Sequence, residues 1–156
     1  MKTKLFLLIL VALSGCSTNP AIDRTENGVL VNGREKTDGG VSLIFASVDG
    51  KRLRPGPWTA PIEAIFPVSP GKRDIGIRVV FTPEKTTAQK VGFQNTFHYV
   101  LESNTELWAE TGKSYVLKAK RSGSLATFWI ESESGNKESE VKTGSVEKVT
   151  IVPVVY

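Results

Sequence analysis

Gly71-Lys72-Arg73-Asp74-Ile75-Gly76-Ile77-Arg78-Val79-Val80-Phe81 carries the clearest periodic signal in the chain. Ile75, Ile77, Val79 and Phe81 fall on alternate positions, against Asp74, Gly76 and Arg78. Successive side chains of a strand point to opposite faces, so the stretch reads as a half-buried strand. Just upstream, Ser69-Pro70-Gly71-Lys72 is a turn signature, in which proline presets φ and glycine takes a positive φ. Before it, Ile62, Ala64, Phe66 and Val68 alternate too, and Pro67, lacking a backbone donor, points to an edge or a strand end. Further back, Val41, Leu43 and Phe45 oppose Ile44, Ala46 and Val48, which predicts a strand covered on both sides. Asp49-Gly50 closes it as a turn.

Working downstream, residues 82–95 read as a polar loop containing Pro83 and Gly92. Phe97, Tyr99 and Leu101 resume the two-residue period, and Leu107-Trp108-Ala109 extends or follows that strand. Thr111-Gly112-Lys113 turns into Tyr115, Leu117 and Ala119, with Lys118 and Lys120 facing outward. Residues 125–130 are apolar on both faces, which predicts Trp129 in the core. Residues 131–145 are polar, and Val149, Ile151 and Val155 mark a closing strand. No window sustains a helical period. The expectation is an all-β domain over residues 41–156, an antiparallel β-sandwich or small barrel of about seven strands. A meander of the first three strands would put loops 49–61 and 82–95 at one end and the Ser69–Lys72 turn at the other.

The N-terminus has a different composition. Lys2 and Lys4 precede nine apolar residues, Leu5 to Leu13, and Leu13-Ser14-Gly15-Cys16 follows. Nine helical residues span roughly 14 Å, about half of a ~30 Å hydrocarbon core, so the run is too short to cross a membrane. It reads as a signal-peptide core. The four residues at its end resemble the lipobox of bacterial lipoproteins. The resemblance implies cleavage after residue 15 and a mature N-terminus at Cys16, the sole cysteine, carrying a thioether diacylglycerol and an amide-linked acyl chain. Two or more acyl chains give stable anchoring where one does not. Ser17, in place of aspartate, implies by the same resemblance an outer-membrane location facing the periplasm. Residues 16–40 have the composition of a flexible tether, with residues 28–33 as a small edge strand; a chain of that length reaches ~25–30 Å on average.

A second resemblance is carried by Ser47-Val48-Asp49-Gly50-Lys51 and by Phe66 to Ile77. These stretches are similar to the turns and strands of small transthyretin-like and PEGA-like modules, and Gly112-Lys113-Ser114-Tyr115 is similar to a later strand of many bacterial envelope lipoproteins, which together imply a binding or structural β-sandwich. The PEGA tetrapeptide itself is absent.

Composition narrows the function classes. Basic residues number 20 against 16 acidic ones, and losing Lys2 and Lys4 leaves a nearly balanced surface, so no nucleic-acid partner is expected. With Cys16 lipidated no disulfide forms, and His98 is the lone histidine, so no metal or other cofactor beyond the covalent lipid is expected. There is no G-x-S-x-G elbow and no phosphate-cradling glycine loop, and the chain is read as non-catalytic; a hydrolase of unrecognised type is the remote alternative. The candidate contact residues lie in one loop. Lys51, Arg52 and Arg54 stand beside Pro55-Gly56-Pro57-Trp58, a stiff segment able to present an aromatic ring. In the meander arrangement Lys85 and Lys90 would join them in a basic rim around Trp58. The expected role is a structural or adaptor module, anchored to the membrane by lipid, that meets an envelope protein, anionic lipid or glycan. The alternative is a ligand- or carbohydrate-binding module using the Trp58 loop, with Trp58 as a lid on the core the plainer possibility.

Overall fold

The structure is a computed structural model that describes residues 22–35, 40–56, 59–83 and 96–151. Among them eleven strands form two sheets. They are β1 (Gly28–Val31), β2 (Gly33–Glu35), β3 (Val41–Val48), β4 (Lys51–Arg52), β5 (Ile65–Val68), β6 (Gly71–Phe81), β7 (Thr96–Ala109), β8 (Ser114–Ser122), β9 (Leu125–Ser132), β10 (Lys142–Ser145) and β11 (Glu147–Ile151). One sheet runs β10-β9-β8-β1-β5 and the other β11-β7-β6-β3-β2, with β4 on the β3 edge. The expected all-β sandwich is what forms, and the sheets do not close into a barrel.

The Gly71–Phe81 pattern sits where its periodicity demands. β6 lies inside its sheet, paired antiparallel with β3 from Val48↔Ile75 to Val41↔Phe81 and with β7 along its whole length. Ile75, Ile77 and Val79 are sealed from solvent against Leu43 and Phe45 of β3 and Leu101 and Leu107 of β7. The facing sheet contributes Leu30, Phe66, Val68, Tyr115, Leu117, Phe128 and Ile130. Each such side chain contributes on the order of 1.5–3 kcal/mol by leaving water.

Three expectations change. The tether reading does not hold for residues 28–35: β1 is an interior strand, antiparallel to β5 and parallel to β8, and Val29 and Leu30 are fully buried. Four residues are too few for periodicity to stand out from polar surroundings. Trp129 is not a core residue. Ala126, Phe128 and Ile130 take the inward positions of β9, which turns Trp129 to the outer face, half-buried beside Lys118. Finally, residues 61–63 form a single 3₁₀ turn, leaving only Ile65–Val68 as strand.

The chain changes sheets without a loop at Asn32, between β1 and β2. Asn32 is 5% exposed, and its side chain ties β3 to the 3₁₀ turn while its backbone bonds the residue before β5. Its Nδ2 donates to the Pro61 carbonyl at 2.7 Å, its Oδ1 accepts from the Phe45 N–H at 2.7 Å, and its own N–H donates to the Ala64 carbonyl at 3.0 Å. A second switch occurs at Val146, between β10 and β11. It packs on the core while its N–H donates to the Ser124 carbonyl.

Candidate functional site

The Lys51–Arg54 segment is held in place by its neighbours. Asp49 and Gly50 both take positive φ, 50° and 75°, which is the backbone of a tight two-residue hairpin turn. β4 then pairs back on β3, Val48↔Lys51 and Ser47↔Arg52. Leu53 fixes the exit: its side chain packs on the core and its N–H donates to the Ala46 carbonyl at 2.8 Å. Lys51, Arg52 and Arg54 are left exposed around it.

Across from them stand β5 and the Ser69-Pro70 turn. Arg73 ties the two sides together. Its Nε and Nη2 donate to the carbonyls of Ser69 and Pro70, both at 2.9 Å, and its Nη1 meets Asp49 Oδ2 at 3.0 Å. Asp49 Oδ1 accepts from the Asp74 N–H at 3.0 Å. That backbone bond first, and Arg73 second, hold the Asp49 carboxyl below the ordinary carboxylate range. The result is a shallow cleft of about 560 Å³ with Phe66, Pro67 and Val68 along one wall and Lys51, Arg52, Arg54 and Arg73 on its rim. Ammonium and guanidinium groups only donate. The arrangement is suited to receiving anionic oxygens, with Arg73 already committed and the other three cations without hydrogen-bond or ion-pair partners among the described residues.

This corrects the expected rim. The Asp49-Gly50 and Ser69-Pro70 turns lie together, whereas loop 82–95 starts at the opposite end, where the Thr82 N–H donates to the Gly40 carbonyl at 2.9 Å. The short return strand β4 adds one reversal to the expected meander and so moves β6 end for end. Lys51, Arg52 and Arg54 are joined by Arg73. Lys85, Lys90, Trp58 and Cys16 lie outside the described residues.

A larger cleft, about 800 Å³, opens at the opposite end. Its walls include Val41, Phe81, Ala119 and Trp129, with Lys118, Lys120, Arg121, Glu35 and Glu131 around them. Its charges are engaged internally. Lys118 pairs with Glu35 at 2.9 Å, the Trp129 Nε1–H donates to Glu131 at 2.6 Å, Arg121 stacks 3.4 Å from the Tyr99 ring centroid, and Lys120 and Lys137 flank the indole at 5.9 and 5.3 Å. His98, half-buried, shares a 3.0 Å hydrogen bond between its Nδ1 and Thr82 Oγ1. The sequence missed this cleft because it assigned Trp129 to the core; the outward lysines of β8 were the available signal. No known family model matches the chain, and neither a curated protein nor a solved structure does.

Proposed function

We propose that this chain is a bacterial envelope lipoprotein in which a lipidated Cys16 anchors a non-catalytic β-sandwich with a structural or adaptor role. The observation that carries the reading is Leu13-Ser14-Gly15-Cys16, placed at the end of a short apolar run with Lys2 and Lys4 before it. Ser17 supports outer-membrane retention, facing the periplasm. The basic rim of Lys51, Arg52 and Arg54 supports contact with anionic envelope material, lipid or protein.

Intact-mass spectrometry of the protein purified from its own membrane tests the anchor. The expected species begins at Cys16 and carries three acyl chains, and Cys16→Ser moves the protein to the soluble fraction. A free thiol at Cys16 overturns the reading.

A second reading, capture of a small molecule or carbohydrate, draws support from the half-buried Trp129 indole in the larger cleft. On that reading Trp129→Ala abolishes retention on a glycan array, whereas on the adaptor reading any retention comes through the basic rim and survives Trp129→Ala.

A further inference from the structure

The anchor and the folded body are joined by less chain than composition implies. Among the described residues the N-terminal segment first bonds to the sandwich at Asn27, eleven residues beyond Cys16. A fully extended chain covers at most ~3.3–3.6 Å per residue, so this link spans no more than roughly 40 Å. Its point of attachment is equally defined. The Asn27 carbonyl accepts from the Gly112 N–H at 3.0 Å, the Val29 N–H donates to the Lys113 carbonyl at 2.8 Å, and Gly28 lies opposite Val68. Val68 leads directly into the Ser69-Pro70 turn that Arg73 holds against Asp49. The chain therefore enters the sandwich at the end that bears Lys51, Arg52 and Arg54.

We propose that this end is the membrane-facing surface of the protein, with Lys51, Arg52 and Arg54 meeting the headgroups of anionic phospholipids. The inference rests on the lipid-anchor reading and adds to it an orientation and a contact. Charge alone does not choose the surface, because Lys118, Lys120 and Arg121 make the opposite end basic as well. Those three are engaged by Glu35 and by aromatic rings. At the anchor end Asp49 is occupied by Arg73 and the Asp74 N–H, Glu110 by Lys113, and Asp23 by Thr25, while Lys51, Arg52 and Arg54 have no partner among the described residues. Three cations are thus left for an outside partner where the link leads. Attraction to an anionic surface fades beyond a Debye length of ~8 Å, so these charges act only where the end that bears them faces the bilayer, and that is the end at which the anchored chain enters.

The test uses the full lipidated protein in two kinds of vesicle, phosphatidylethanolamine with phosphatidylglycerol and phosphatidylethanolamine with phosphatidylcholine. Flotation reports the anchor, and lysine acetylation rates read by mass spectrometry report the orientation. On phosphatidylglycerol vesicles Lys51 is expected to react about tenfold more slowly than in detergent, while Lys120, at the far end, keeps its rate. Protection of Lys51 weakens on the uncharged vesicles. In the variant Lys51→Glu/Arg52→Glu/Arg54→Glu, flotation persists and protection of Lys72, at the same end, falls to the level seen on uncharged vesicles. Failure to float overturns the anchor reading and this inference with it. Flotation with Lys51 as reactive as in detergent overturns the orientation alone, and undiminished protection of Lys72 in the variant overturns the role of the three cations.

Discussion

The two ends of the sandwich are both basic, yet they use their charge differently. At the far end each cation of β8 is engaged: Lys118 by Glu35, Lys120 by the Trp129 ring, Arg121 by the Tyr99 ring and the Gly123 carbonyl. At the end that bears the Asp49-Gly50 turn, Asp49 and Glu110 are paired internally, and Lys51, Arg52 and Arg54 stay open to solvent. A cluster of cations is therefore not by itself a capacity to bind. A cation already paired contributes to holding the fold; a cation without a partner in the fold is available to something outside it.

The comparison presumes that both ends belong to one frame, and the largest expected effect breaks that frame. Asn32→Leu leaves the Phe45 N–H and the Pro61 carbonyl unpaired, at a cost of about 3 kcal/mol from two desolvated groups, measurable by urea unfolding. The next pair of variants sharpens the contrast. Replacing Lys51, Arg52 and Arg54 by Ala lowers binding of the Cys16→Ser chain to phosphatidylglycerol vesicles by about tenfold or more while stability changes by less than about 0.5 kcal/mol. Replacing Lys118, Lys120 and Arg121 by Ala reverses the pattern, costing about 1–2 kcal/mol of stability with little change in vesicle binding. A smaller effect comes from Tyr115, whose hydroxyl accepts from the Glu110 N–H at 2.7 Å. Tyr115→Phe costs about 1 kcal/mol. Burial pushes the Tyr115 phenol up, so the neutral form is favoured on folding. Its stabilisation is complete below about pH 10 and declines as pH rises through the raised folded value, a decline that Tyr115→Phe removes. The smallest effect is that of Asp49. Its folded pKa is lowered, so its contribution is present above about pH 4 and lost as pH falls through the folded value; Asp49→Asn flattens that part of the acid unfolding curve.

Sheet architecture was legible wherever one face of a strand is buried over several residues. Ile75, Ile77, Val79 and Phe81 announce β6, and Tyr115, Leu117 and Ala119 announce β8, because burial on one side imposes a two-residue period. Elements whose place is set by pairing alone were not. Lys51-Arg52 has no apolar pattern and is a strand only because the Asp49-Gly50 turn returns it to β3, and missing it placed loop 82–95 at the wrong end. β1 and β2 are short and sit among polar residues, so composition assigned them to the tether. In residues 125–130 apolar side chains occur on both faces, and nothing in that run says which face looks outward. Of the candidate site, Lys51, Arg52 and Arg54 were found from their clustering. Arg73 was not, since its role depends on two turns meeting in space.

The insertion of β1 between β5 and β8 has a consequence for how the molecule is put together. Val29 lines up with Pro67 on one side and with Ser114 on the other, and the second pairing is parallel, so it cannot be made by a hairpin. Among the earliest residues of the body to be synthesised are thus some of the last to be locked. High contact order of this kind slows folding, and until residue 116 has arrived the N-terminal segment has only half of its ladder to hold it. Strand β1 acts as the keystone of its sheet, set in place only after most of the arch is standing.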